Sequence, residues 1–329
     1  MIQIPEISNS LKNYGYKLLE PIGEGGFSSV FKVQDFRYNQ LFVCKITKIS
    51  PDKDCSPKGN AKAQQYIDEV ENLKLIWHPN VIKFYNHFIE GDHMFVILEY
   101  CSNGSVFDLL RKENQLSIRR IVTIVSQLAA AVEVCHSNNV AHHDIKPNNI
   151  LIDEYNQIKL ADFGMSTHLE GVSTKFMGSI NVLAPEVINK SPYNPFSADI
   201  WSFGATILAL VVSDWFLKGI PSHKAQLMVQ SGEIQIPQET PAELIEIIKH
   251  SMIRDPEKRW TITQITNYLR ESLGSILQVP NRACRILPRL SRTVAVPQNN
   301  RLSLPAFSIK ACNSRKILSL NKLASLVPK

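Results

Sequence analysis

Apolar and polar positions alternate through residues 16–35, and the alternation breaks at the glycine-rich run 22–30, which predicts two β-strands joined by a hairpin. Residues 41–46 form a third apolar strand interrupted by one lysine, Lys45. In residues 64–77, Ile67, Val70 and Leu73 recur at helical spacing. Two more strands are expected over 81–88 and 93–100, joined by the turn Glu90-Gly91-Asp92. From Val106 onward the pattern turns helical. Residues 118–138 have the apolar periodicity of a buried helix, and the stretch after Asp199 is apolar all round, so it too belongs in a core. The helical half is broken by a polar loop flanked by β runs and by the polar connector 165–183 that follows. Val140-Ala141 and Ile150-Leu151-Ile152 read as short β runs, Pro147 blocks a helix between them, and residues 158–161 add another β-like run. A small β-rich half thus precedes a larger helical half.

Composition narrows the class. The 329 residues are 44% hydrophobic and 20% charged, enough for one large or two modest globular units. The cysteines at 44, 55, 101, 135, 284 and 312 show no paired spacing, so neither a zinc site nor a disulfide frame is signalled, and a reduced, cytoplasmic setting is expected. Residues 1–13 lack the build of a signal peptide. The longest uncharged stretch, 200–213, falls short of the ~20 residues of a spanning helix, so the expectation is a soluble chain with no membrane span. The net charge of +6 is unevenly spread: residues 273–329 carry ten Lys or Arg and no acid, leaving −4 for the rest. The basic character belongs to an appendage, and no nucleic-acid partner is predicted for the main body. In that tail Arg315-Lys316 stand beside Ile317-Leu318, a pattern suited to a regulatory or acidic partner, while Pro288, Pro297 and Pro305 argue against one continuous helix.

The loop between the short β runs holds the densest chemistry. Asp144, Lys146 and Asn149 stand at offsets 0, +2 and +5 in a turn anchored at both ends. Asp144 can accept a proton from a hydroxyl, Lys146 can neutralise a phosphoryl group, and Asn149 offers a neutral oxygen to a hard cation. Read alone, this is also a polar turn with a capping aspartate. Asp162-Phe163-Gly164 follows, and here the sequence resembles the eukaryotic protein kinases, whose pattern is H-R-D-L-K-P-x-N followed by D-F-G. The chain has His142, His143, Asp144, Ile145, Lys146, Pro147 and Asn149, with His143 in place of the arginine. Further motifs stand in order: the glycine-rich loop with Ser28 at its third glycine position, Lys45 in a strand, Glu69 nine residues before His78, Leu98-Glu99-Tyr100-Cys101, Ala184-Pro185-Glu186, the 199–204 helix start and Arg259. The run Ser231 to Pro237 is reminiscent of the calcium/calmodulin-dependent group.

The resemblance implies a two-lobed α+β kinase fold over 16–270, with an N-lobe at 16–100, a C-lobe at 101–270, a leader at 1–15 and a tail at 271–329. It implies transfer of the γ-phosphate of ATP, with Mg2+, to serine or threonine hydroxyls of protein substrates. Asp144, Lys146 and Asn149 would be catalytic, and Asn149 and Asp162 would hold the metal. The nucleotide would lie against Ile22, Gly23, Glu24, Gly25, Gly26, Phe27, Ser28, Ser29, Val30, Val43, Lys45 (oriented by Glu69), Glu99, Cys101 and Leu151. Leu98 would be the gatekeeper, Glu186 would pair with Arg259, and Ser173 and Thr174 are candidate phosphosites. Ser179 and Ile180 stand where the family has Thr and Pro. Because His143 replaces an arginine that receives a loop phosphate, activity is expected to depend little on loop phosphorylation. The alternative is a pseudokinase, a nucleotide-binding scaffold.

Overall fold

In the computed structural model, residues 4–24, 28–49, 68–113, 116–168, 171–212, 221, 223–224, 227–228 and 240–273 are described. Five strands, β1 (Tyr16–Glu24), β2 (Ser28–Asp35), β3 (Leu41–Lys48), β4 (Phe84–Glu90) and β5 (His93–Glu99), form an antiparallel sheet in the order β1-β2-β3-β5-β4. The register sets Val30 of β2 opposite Lys45 of β3, and Lys45 opposite Val96 of β5. Side chains alternate across a strand, so Phe42, Cys44 and Ile46 of β3 share one face and Lys45 points to the other. β4 begins later than the sequence pattern suggests. Val81 instead makes an isolated parallel bridge to Leu160.

The stretch expected as a leader contains a helix, α1 (Ile4–Asn13). Its Ile7 and Leu11 are buried with Phe31, Val33, Phe42 and Cys44, and Tyr14 stacks on Phe88 with ring centroids 3.7 Å apart. One face of the sheet is apolar and needs a cover, and α1 supplies it. Across the other face lies α2, described over 68–75, with Glu69, Val70, Asn72 and Leu73 buried.

The helical half is built on α3 (Val106–Lys112), α4 (Ile118–Ser137), α5 (Pro185–Ile188), α6 (Pro195–Val212) and the later helices Ala242–Ser251 and Ile262–Leu273. Asp108 is a helix-start residue: with Ser105 it forms a reciprocal capping box. α6 is buried from Ala198 to Val211 and reaches 18 residues. It meets the length and composition of a spanning segment, but 83% of it lies inside the fold, so it is a core helix here. Arg259, its side chain 0% exposed, grips Glu186 through two bonds of 2.6 and 2.7 Å, giving Glu186 the structural role expected of it. Two short antiparallel strand pairs frame the polar loop: β6 (Val140–Ala141) with β9 (Thr167–His168), and β7 (Ile150–Ile152) with β8 (Ile158–Leu160).

Candidate active site

The polar loop 142–149 is fixed from below by one carboxylate. Asp199, fully buried near the start of α6, accepts the backbone N–H of His142 at 2.7 Å and of His143 at 2.8 Å, and the His136 ring at 3.0 Å. Burial alone would raise its pKa; the His136 hydrogen bond and the surrounding histidines outweigh that and hold it below the ordinary carboxylate value. The His142 ring completes the frame. Its Nε2 must donate to the Ala161 carbonyl (3.0 Å), which leaves Nδ1 to accept the N–H of Asp144 at 3.2 Å.

On this frame Asp144, Lys146, Asn149 and Ser179 converge. Lys146 Nζ donates to Asp144 Oδ2 and to Ser179 Oγ, both at 2.6 Å, and the Ser179 N–H donates to Asp144 Oδ1 at 3.0 Å. Asn149 Nδ2 donates to the Asp144 carbonyl and to Asp144 Oδ2, each at 2.9 Å. Both amide hydrogens are thereby committed, so the Asn149 oxygen is the atom turned toward other ligands.

A second cluster faces the first. Lys45 Nζ bonds Glu69 Oε1 at 2.7 Å and Asp162 Oδ1 at 2.9 Å. Burial works against the lysine's charge, but the two carboxylates overcome it and its pKa is raised. At Asp162, whose side chain is about half exposed, the same pairing outweighs the partial desolvation of the carboxylate and lowers its pKa. Asp162 sits at φ +60°, a left-handed conformation uncommon for a residue with a side chain. A Cβ on Gly164 would stand 3.3 Å from both Asp162 Oδ1 and Lys45 Nζ, tighter than an ordinary contact, so a glycine suits this ion cluster. Asn72 of α2, buried, donates to Ser166 Oγ at 3.0 Å and ties the helix to the turn after Gly164. That tie and the Asp199 frame have no local sequence signature.

The residues expected on the nucleotide side take these positions. Gly23 pairs with Val30 at the mouth of the β1–β2 hairpin, with Ser28 and Ser29 on β2 and Ile22 exposed. Gly25, Gly26 and Phe27 lie outside the described residues, as does the side chain of Glu24. Val43, Cys101 and Leu151 are half-buried against the main core, and Leu98 is buried beside them. Glu99 spends its N–H on the Lys83 carbonyl and its carboxylate on Lys159 at 2.8 Å. Burial pushes the Cys101 thiol up to about 12. Among the described residues no three His, Cys, Asp or Glu cluster as a metal cage. One exposed carboxylate on Asp162 and one amide oxygen on Asn149 suit Mg2+, which keeps few protein ligands and shares phosphate oxygens. The backbones that carry them are joined: the N–H of Ala161, next to Asp162, donates to the Asn149 carbonyl at 2.8 Å.

His143 is 5% exposed, at φ +65°, with Nε2 2.7 Å from Thr167 Oγ1 on β9. Burial, aided by His142, Lys175 and His136, outweighs Asp199 and lowers its pKa. Of the candidate phosphosites, Ser173 is half-buried and paired through its backbone with Tyr193, while Thr174 is exposed.

Comparison with known proteins identifies the family. A family model described as the protein kinase domain matches residues 16–269. The chain is 32% identical over 222 residues to the serine/threonine-protein kinase ppk11 of Schizosaccharomyces pombe, covering 67% of this chain and 69% of that one. It is 30% identical to human NUAK family SNF1-like kinase 1, over 77% of this chain and 38% of the relative. It is also 30% identical to CBL-interacting serine/threonine-protein kinase 3 of Arabidopsis thaliana, over 76% and 57%. The chain spans less than two thirds of the length of these last two. On the domain match and these relatives, the chain belongs to the protein kinase family and is an ATP-dependent serine/threonine kinase.

Proposed function

We propose that Asp144 is the base of the transfer step, and that the remaining charges divide into an acceptor group and a nucleotide group. The observation that carries this reading is the clasp at Asp144. Ser179 N–H, Lys146 and Asn149 hold its two oxygens in place, so the carboxylate is already oriented before an acceptor arrives. A serine or threonine hydroxyl of a protein substrate then gives its proton to Asp144 as its oxygen bonds to the γ-phosphorus. The bond from that phosphorus to the β–γ bridging oxygen breaks, and ADP leaves with that oxygen. Lys146 neutralises charge on the transferring group. Lys45, held by Glu69, binds the α- and β-phosphates, and Val43, Leu98, Glu99, Cys101 and Leu151 line the base pocket. Asp162 and Asn149 would hold Mg2+, which supplies charge neutralisation on the phosphate oxygens.

The His143 site extends the reading. A neutral, buried imidazole bonded to Thr167 offers no cation to a loop phosphate, so activity stands without loop phosphorylation. We place the catalytic domain at 16–270, in a reduced intracellular setting that suits the free Cys44, Cys101 and Cys135. The Ser231–Pro237 run and residues 274–329 of the basic tail lie outside the described residues, and a regulatory partner for the tail stays a proposal from charge alone. The test is transfer of labelled γ-phosphate from Mg-ATP to a generic serine/threonine substrate. Transfer is expected. Its absence with nucleotide bound would favour the scaffold reading.

A further inference from the structure

The segment 171–179 has no helix or strand of its own, yet it is held at both ends. At its far end Ser179 is clasped to Asp144 and Lys146. At its near end the holding is done by Tyr193, on the stretch between α5 and α6. The Ser173 N–H donates to the Tyr193 carbonyl at 2.8 Å and the Tyr193 N–H to the Ser173 carbonyl at 2.9 Å, a single antiparallel bridge. The Tyr193 side chain then reaches further along the segment, where its hydroxyl donates to the Lys175 carbonyl at 2.8 Å. The Lys175 N–H closes the turn on Ser173 Oγ at 3.1 Å. Tyr193 is 4% exposed and packs in the main core; burial raises the pKa of its hydroxyl, which keeps its proton for the bond. Behind it, Asn194 opens α6, its Oδ1 accepting the Phe196 N–H at 2.9 Å and its carbonyl the Ala198 N–H at 3.1 Å. The same helix carries Asp199, on which the catalytic loop rests. The Tyr193 ring also meets the His143 ring edge-on, 6.5 Å between centroids. The segment and the catalytic loop therefore share one base.

We infer that Tyr193 is a positioning residue: it holds 173–175 on the base of α6 without needing a phosphate, and so keeps Ser179 aligned on Asp144. This role rests on the kinase reading and says what orders the segment where His143 offers no cation. Lys175 and Ser179 are four positions apart, so a segment released at Lys175 loads its motion onto the Ser179 N–H that orients the Asp144 carboxylate. The tyrosine hydroxyl is the part of the anchor that belongs to a side chain. The backbone bridge would survive its loss.

Tyr193→Phe keeps the ring, its packing and the bridge, and removes only the hydroxyl. Full-length wild type, before and after phosphatase treatment, is compared with phosphatase-treated Tyr193→Phe in two measurements. The first is trypsin cleavage after Lys175, with cleavage after the exposed Lys258 as internal reference. Cleavage requires local opening, and one hydrogen bond is worth roughly 3–10-fold in that opening, so the variant is expected to be cut faster at Lys175 by that factor and unchanged at Lys258. Wild type is expected to be cut at the same rate with or without phosphatase. The second is transfer to a generic serine peptide: the variant is expected to lose a similar factor in kcat/KM for the peptide, with Mg-ATP affinity unchanged. Equal cleavage of variant and wild type at Lys175, a rise matched at Lys258, or a wild-type rate that climbs on phosphatase treatment overturns the inference. Full peptide kcat/KM in Tyr193→Phe overturns the positioning role alone. No transfer by wild type overturns the kinase reading and this role with it.

Discussion

Lys45, Glu69 and Asp162 meet from separate elements across 117 positions of sequence, whereas Asp144, Lys146 and Asn149 fall within five positions of one loop. The first cluster exists only while β3, α2 and the turn after Asp162 are held together. Its parts are joined by ion pairs, by the Asn72–Ser166 bond and by the close approach at Gly164. The second is fixed by its own loop and by Asp199 beneath it. The difference is one of sensitivity. The cluster at Lys45 depends on whatever holds the sheet and α2 in place, while the cluster at Asp144 depends on its own loop, on Ser179 and on the helical core beneath it.

The largest effect that would sharpen this contrast falls on the loop. Asp144→Asn keeps the shape and removes the base, and kcat in the transfer assay is expected to fall by about 10²–10⁴. A loss under tenfold would mean that another group takes the proton. Next comes the cluster that spans elements. Lys45→Met strands Glu69, 2% exposed, without its cation, and is expected to cost about 3 kcal/mol in urea unfolding besides abolishing transfer. Stability equal to wild type would break the claim that this pair joins the sheet to α2.

A smaller effect tests the sheet's other face. Leu11→Ala in α1, a site fully buried against β-strand side chains, is expected to lower stability by about 2–4 kcal/mol. A value near zero would return α1 to the status of a leader. The smallest effect concerns His143. Phosphatase treatment is expected to leave activity unchanged and Thr174→Glu to add none. Activity abolished by phosphatase and restored by Thr174→Glu would contradict the neutral-imidazole reading.

The contrast also accounts for what the sequence discloses. The acceptor cluster is legible directly, because its residues are neighbours and Pro147 and the flanking β runs fix the turn between them. The Lys45–Glu69–Asp162 cluster is visible only through motif order, since nothing local says that a strand lysine will meet a helix glutamate 24 residues away. Asp199 reads from sequence as the start of an apolar helix. Its bonds to backbone 57 and 56 positions upstream depend on how α6 packs under the loop. The Thr167 partner of His143 depends likewise on the pairing of β6 with β9. In α1, Ile4, Ile7 and Leu11 have helical spacing, but so short a pattern decides nothing until an apolar sheet face is present for it to cover.

The most direct test of the two-cluster account is nucleotide binding, measured by titration with Mg-ATP for wild type, Asp144→Asn and Lys45→Met side by side. Wild-type affinity is expected in Asp144→Asn and a marked loss in Lys45→Met. Equal losses in both variants, or none in Lys45→Met, would contradict the division of the site into a nucleotide side and an acceptor side.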